Sequence, residues 1–171
     1  IRFVNFFILF NITRMKLILV GKAAAGKDFF RLRLEDKGFV SGISHTTRQP
    51  RKTETDGVDY HYTNEEKFKE LIDSGEMLEH MIFKGTYYGL TKDEFDNGDV
   101  LIMSPEGLDL LPEDIKKQCL IIYLDIEPTT RLVRLILRDD KNDTLERRFE
   151  ADEKQFKDFK EFDLRVTNSQ F

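Results

Sequence analysis

An α/β fold is predicted, three layers deep, with a parallel sheet core, an inserted lobe and a short helical lid. Three observations predict it. An apolar run, Leu17 to Val20, breaks at Gly21 into a small-residue loop and then a helical pattern. Further apolar runs at Val100–Met103 and Cys119–Leu124 are each followed by helical patterns, the order of a parallel sheet with helices on its faces. Between these core pieces, from about 42 to 97, the chain turns to short extended segments and turn signals. The expected division is a core of 15–41 and 98–171, an inserted lobe of about 42–97, and a lid of about 138–148, all one domain.

The first strand and its loop organise the rest. From Gly21 to Gly26-Lys27 the spacing is G-x-x-x-x-G-K, that of a phosphate-binding loop. Gly21 and Gly26 are expected to permit positive φ. Ala23, Ala24 and Ala25 keep bulk away, so the N–H groups from Gly21 through Lys22 to Asp28 can close around phosphate oxygens. The helix that begins here adds its positive dipole end. Lys27 supplies a mobile charge for β- and γ-phosphates. Asp28 stands where a Ser or Thr usually ligates Mg²⁺; a carboxylate can take that place or hold the metal's water, at the cost of negative charge beside the phosphates. A glycine-rich turn that binds nothing is the alternative, but strand, spacing, lysine and helix occur together.

The remaining elements follow in order. The first helix runs from the loop to Asp36 and closes at Gly38, and Phe39-Val40 begins a short strand. Ser44 to Arg51 is polar, basic and broken by Pro50, hence a loop or strand edge. Asp56-Gly57 is a turn, and Val58 to Tyr62 alternates like a strand. Thr63 or Asn64 caps a helix to about Ser74, ended by Gly75. Met77–Phe83 and Thr86–Leu90 are extended around Lys84-Gly85, and Lys92 to Asn97 is a short helix. Leu108 to Lys117 is a weak helix with Pro112 early in it. Pro128 opens a helix to about Arg138, Thr144 to Phe159 is another, and Leu164–Thr167 is a last strand.

Composition narrows the function. A net charge of −5 argues against a nucleic-acid binder with a broad basic face. Cys119 is the single cysteine, so no intrachain disulfide forms, and a reducing, cytoplasmic setting is the default. Residues 1–14 are apolar and aromatic but shorter than the ~20 residues of a membrane span. They are expected to lie outside the core, as an extension ahead of a start at Met15, and no membrane partner is expected.

Ser44-x-Thr46-Thr47-Arg48-x-Pro50-Arg51-x-x-Glu54-x-x-Gly57-x-Asp59-Tyr60 resembles the GMP-binding segment of guanylate kinase, a P-loop NTPase fold. Glu79 and Tyr87-Tyr88-Gly89 fall at matching spacing, and the likeness runs from Met15 to about Asn168. It implies ATP-dependent phosphorylation of a nucleoside monophosphate, GMP or dGMP first, with ATP and the monophosphate as partners and Mg²⁺ as cofactor. It implies that Arg48, Arg51, Tyr60 and Tyr88 hold the monophosphate's phosphate, that Glu79 accepts from guanine N1–H and N2–H₂, and that Ser44 donates to O6. Arg134, Arg138 and Arg148 would flank the lid and close with Lys27 on the transferring phosphoryl group, and Asn168 would stand at the adenine side.

Read from the residues alone, Arg131, Arg134 and Arg138 share one helical face, and Arg134, Arg138 and Arg148 are each either catalytic or surface residues paired with Asp139, Asp140 or Glu150. Two departures from the family bear on the base. Leu90 replaces a Ser or Thr, and Ser104-Pro105-Glu106 replaces an Asp-x-Asp, leaving Glu106 to serve as a base-reading carboxylate. The chain also stops at Phe171, short of the family's final helix. A kinase for another base, or a silent phosphopeptide-binding module of the same fold, are the alternative functions.

Overall fold

The computed structural model describes residues 15–138 and 144–170 of the 171-residue chain. The extension 1–14, the middle of the expected lid and the Arg138 side chain lie outside the described residues. β1 (Lys16–Val20) leads through the loop to α1 (Lys27–Glu35). β2 (His45–Thr46), β3 (His61–Tyr62), α2 (Glu65–Asp73), the hairpin of β4 (Met77–Phe83) and β5 (Thr86–Thr91), and α3 (Lys92–Asn97) follow. The chain returns through β6 (Val100–Ile102), α4 (Pro105–Leu110), α5 (Glu113–Lys116), β7 (Cys119–Leu124), α6 (Pro128–Arg138), α7 (Leu145–Phe156) and β8 (Leu164–Val166).

The core sheet runs β6-β1-β7-β8 and every pairing in it is parallel. Burial on both faces explains why Leu17–Val20, β6 and β7 read as apolar runs, whereas the edge strand β8, Leu-Arg-Val, is largely exposed. Ile18 and Val20 join Leu101, Ile121 and Tyr123 on one side, while Leu17 and Leu19 join Ile122 and Leu124 on the other. All four β1 side chains from Leu17 to Val20 are fully buried. Each such burial is worth roughly 1.5–3 kcal/mol. From β1 the chain passes to β6 on one side, and from β7 it passes to β8 on the other, so the connections diverge at the carboxyl ends of β1 and β7, the place where open α/β sheets bind ligands.

The second sheet has the order β3-β2-β5-β4. Its hairpin turns on Lys84 and Gly85, both with positive φ (54° and 75°), the pair of left-handed residues that matches strand twist in a two-residue turn. α2 is capped by Asn64, whose side chain accepts from Lys67 N–H, and seats the fully buried Phe68 5.3 Å from the Tyr87 ring.

Three expected elements differ. Phe39-Val40 forms no strand of its own; Ser41 makes an isolated bridge to Val100, and Val40 O accepts from Asp99 and Val100 N–H. The alternation from Val58 is cut short because Val58 and Asp59 N–H both donate to Thr55 O, closing a turn, and the strand is only His61–Tyr62. The helix expected over 108–117 is two. Pro112 disfavours helical backbone at the residue before it, and Leu111 is extended at ψ 137°.

Candidate active site

Glycine is needed at Gly21 for space. A Cβ there would lie 2.9 Å from Leu124 O and 3.2 Å from the Cβ atoms of Ala25 and Leu124. The left-handed positions of the loop are Gly26, at φ 98°, and Ala24, at φ 58°. The expectation of positive φ therefore holds for Gly26 and not for Gly21, and an alanine takes the second such position.

Five successive loop carbonyls accept from cationic side chains. Lys27 Nζ donates to Gly21 O at 2.6 Å and to Lys22 O at 3.2 Å. Arg131 Nη1 donates to Ala23 O at 3.2 Å. Arg134 Nη1 donates to Ala24 O and Ala25 O at 3.2 and 3.1 Å. Two loop N–H groups are engaged as well: Ala23 N–H donates to Asp152, and Ala25 N–H donates to Lys22 O at 3.1 Å. Asp28 sits in the first turn of α1 beside Lys27.

The lobe contributes a second basic group, built around a carboxylate. Arg51 Nη1 lies 2.6 Å from Glu54, whose other oxygen accepts from Arg51 N–H at 2.7 Å. Arg48 Nη2 lies 2.9 Å from the same carboxylate, and Tyr62 Oη donates to it at 2.8 Å. Burial alone would raise the Glu54 pKa, but the bonds from Arg51 and Tyr62 prevail and hold it down to about 2. The Arg48 guanidinium also lies over Tyr60 and Tyr62, and Tyr60 meets Tyr88 edge-on at 6.2 Å. Arg48, Arg51, Tyr60 and Tyr88 are thus one cluster. Glu54 stood in the motif without a role, and Tyr62 was missed. An acid three and six residues from two arginines was the available signal.

Loop and lobe face one cavity of about 600 Å³. Ala23, Ala24, Gly26, Lys27 and Asp28 line it from the loop, and Arg51 and Tyr60 line it from the lobe. Arg134 and Arg148 line it from α6 and α7. Burial, and next the charge of Asp28, push the Tyr60 phenol up to about 12, so the hydroxyl stays a neutral donor. Ser169 and Gln170 complete the wall; Asn168 does not line it, its side chain accepting from Gln170 N–H. Gly21 and Ala25 lie behind the loop surface, and Lys22 pairs with Glu153 at 2.5 Å. Arg131 is neither on the cavity wall nor on the surface. It is 1% exposed and bonded to Asp152.

The residues expected to read the base stand apart from that cavity. Glu79 is buried on β4, accepts from Leu90 N–H, and has its pKa raised to about 7 by burial. The Leu90 side chain belongs to the core, and only its backbone N–H serves Glu79. Ser104 caps α4 by accepting from Gly107 N–H, and Pro105 follows at the first helical position. This cap turns Glu106 outward, where its carboxylate accepts from Gln155. Glu106 therefore does not stand beside Glu79, whereas Gly107 does: a Cβ on it would lie 3.3 Å from Glu79 Oε2. Ser44 precedes β2 and is half-buried, its carbonyl accepting from His61 N–H.

A three-layer α/β fold with a phosphate loop and a second basic cluster on one cavity defines a nucleoside monophosphate kinase. The sequence profile described as guanylate kinase matches residues 13–171. Guanylate kinase of Helicobacter pylori (strain ATCC 700392 / 26695) is 30% identical over 161 residues, covering 89% of this chain and 78% of that protein. Guanylate kinase of Ruegeria sp. (strain TM1040) is 34% identical over 150 residues, covering 78% and 67%. The crystal structure of guanylate kinase from Anaplasma phagocytophilum has the same fold, with a TM-score of 0.66 over 90% of this chain and 76% of that one, at 22% identity. The chain belongs to the guanylate kinase family.

Proposed function

We propose that the chain transfers the γ-phosphoryl group of ATP to GMP or dGMP. The observation that carries this reading is the single cavity shared by Lys27 of the phosphate loop, Arg51 and Tyr60 of the lobe, and Arg134 and Arg148 of α6 and α7. Phosphoryl transfer asks little covalent chemistry of a protein; it asks that two anions be aligned and their charge neutralised. Here a phosphate oxygen of the monophosphate bonds to the γ-phosphorus while the bond to the β–γ bridging oxygen breaks. GDP and ADP form, and no proton need move when the acceptor is a dianion. Lys27 and the loop N–H groups would hold the triphosphate, Arg51 with Arg48 the acceptor phosphate, and Arg134, Arg148 and Arg138 the charge between them.

The donor set suits Mg²⁺. Among the described residues no cluster of three or more His, Cys, Asp or Glu could cage a metal. Mg²⁺ keeps several waters and binds through one or two carboxylates plus substrate phosphates. Asp28, on the cavity wall next to Lys27, would hold it or its water. When bound, Mg²⁺ neutralises charge on the β- and γ-oxygens. Among the described residues no helix is long and apolar enough to cross a membrane.

Guanine would be read chiefly by Glu79, the buried carboxylate of β4. The test is the ³¹P spectrum of a mixture of the protein with ATP, Mg²⁺ and GMP. GDP and ADP should appear in equal amounts. ADP with inorganic phosphate and no GDP would mark hydrolysis and overturn the transfer reading, and no turnover with retained phosphopeptide binding would favour the silent module.

A further inference from the structure

We propose that Arg131 and Asp152 are positioning residues for the nucleoside triphosphate: a buried ion pair, shared by α6 and α7, that sets the phosphate loop at Ala23. The inference rests on reading that loop as the triphosphate site. Asp152 takes the Ala23 N–H between its two oxygens, each at 3.1 Å. Arg131 Nη1 bonds Asp152 Oδ2 at 2.6 Å and Ala23 O at 3.2 Å. Both polar groups of one loop residue are therefore held from outside the loop, immediately before Ala24 enters its left-handed conformation. The Arg131 guanidinium also lies 4.9 Å from the centre of the Phe149 ring of α7.

A pair that served only the core would be a poor choice, since apolar replacements of buried ion pairs are often neutral or stabilising. This pair is oriented toward the loop even though Arg131 Nε is left buried without a partner. It also joins the loop to the helices that carry the cavity arginines. Arg134 stands three residues after Arg131 on α6, and Arg148 stands four before Asp152 on α7, each spacing keeping the two on one helical face. A shift of α7 that brings Arg148 toward the phosphates thus acts on Ala23 as well. The Ala23 N–H, given to Asp152, orients the loop rather than meeting a phosphate.

Equilibrium titration of the full chain with ATP, and separately with GMP, tests this. Asp152→Asn is expected to weaken ATP binding at least about tenfold, ~1.4 kcal/mol, while GMP binding stays within about twofold of the parent. The double variant Arg131→Met with Asp152→Leu leaves no unpaired charge. It is expected to keep the parental Tm and the same loss toward ATP, and it decides the matter if Asp152→Asn does not fold. A stable double variant that binds ATP as the parent does would overturn the proposal, as would equal losses toward ATP and GMP. A parent that binds no ATP would overturn the loop reading itself and this inference with it.

Discussion

Arg51 and Glu54 meet at 2.6 Å, and the same carboxylate takes the Arg51 N–H at 2.7 Å. Glu54 thereby fixes one guanidinium fork at the cavity wall and, through Arg48, orients a second beside it. Arg51→Ala should raise KM for the monophosphate about 10- to 150-fold, the worth of a charge-assisted hydrogen bond of roughly 1.5–3 kcal/mol. KM for ATP and the base preference should hold. Steady-state kinetics with each substrate varied in turn checks this; Lys at the position should restore only part, having the charge without the fork.

Glu79 should make both stability and guanine affinity depend on pH. Its folded pKa of about 7 stands above the ordinary 4.5, so the folded state binds more protons in that interval. Stability from this group is therefore lost as pH rises from about 4.5 through 7. Glu79→Gln should raise Tm at pH 8 more than at pH 5. The guanine face needs the carboxylate as acceptor, so KM for GMP in the parent should fall as pH rises through about 7 and be flat in the variant. Thermal melts and KM measured across pH check both.

Lys27→Ala should reduce kcat at least about 100-fold, the usual worth of one preorganised group at developing charge. The fold should survive, because the Lys27 bonds to Gly21 O and Lys22 O are two of many that hold the loop. Single-turnover rates with circular dichroism of the same sample separate the two effects.

Gly21→Ala should cost about 1–3 kcal/mol of stability through overpacking against Leu124 O, a backbone atom that cannot step aside. Chemical denaturation measures it; a loss near zero would mean that the loop can retreat from β7.

Most of this was legible where a local pattern carries one meaning. Leu17–Val20 and β7 are continuous apolar runs because both faces are covered. Asn64, Gly75 and the Lys84-Gly85 turn marked their elements through capping and left-handed backbone. The Arg131 contact was not legible. Its partner Asp152 is 21 residues away on another helix, and on α6 Arg131 is indistinguishable by period from Arg134, which does reach the cavity. Ala24 gave no sign of its positive φ, since nothing in its side chain favours it. Glu106 misled for a related reason. The Ser104 cap and Pro105 start a helix that decides its direction, and no spacing rule reveals which way a residue in the first turn will face.

The most direct test of the central claim is ADP release from ATP and Mg²⁺ with GMP, dGMP, AMP, CMP and UMP supplied in turn. The account predicts turnover with GMP and dGMP, and kcat/KM for AMP, CMP and UMP lower by about 10⁴ or more, because a base lacking the N1–H and N2–H₂ donors gives the buried Glu79 none of the bonds guanine would give it. Equal turnover with all five, or none with GMP, would contradict it.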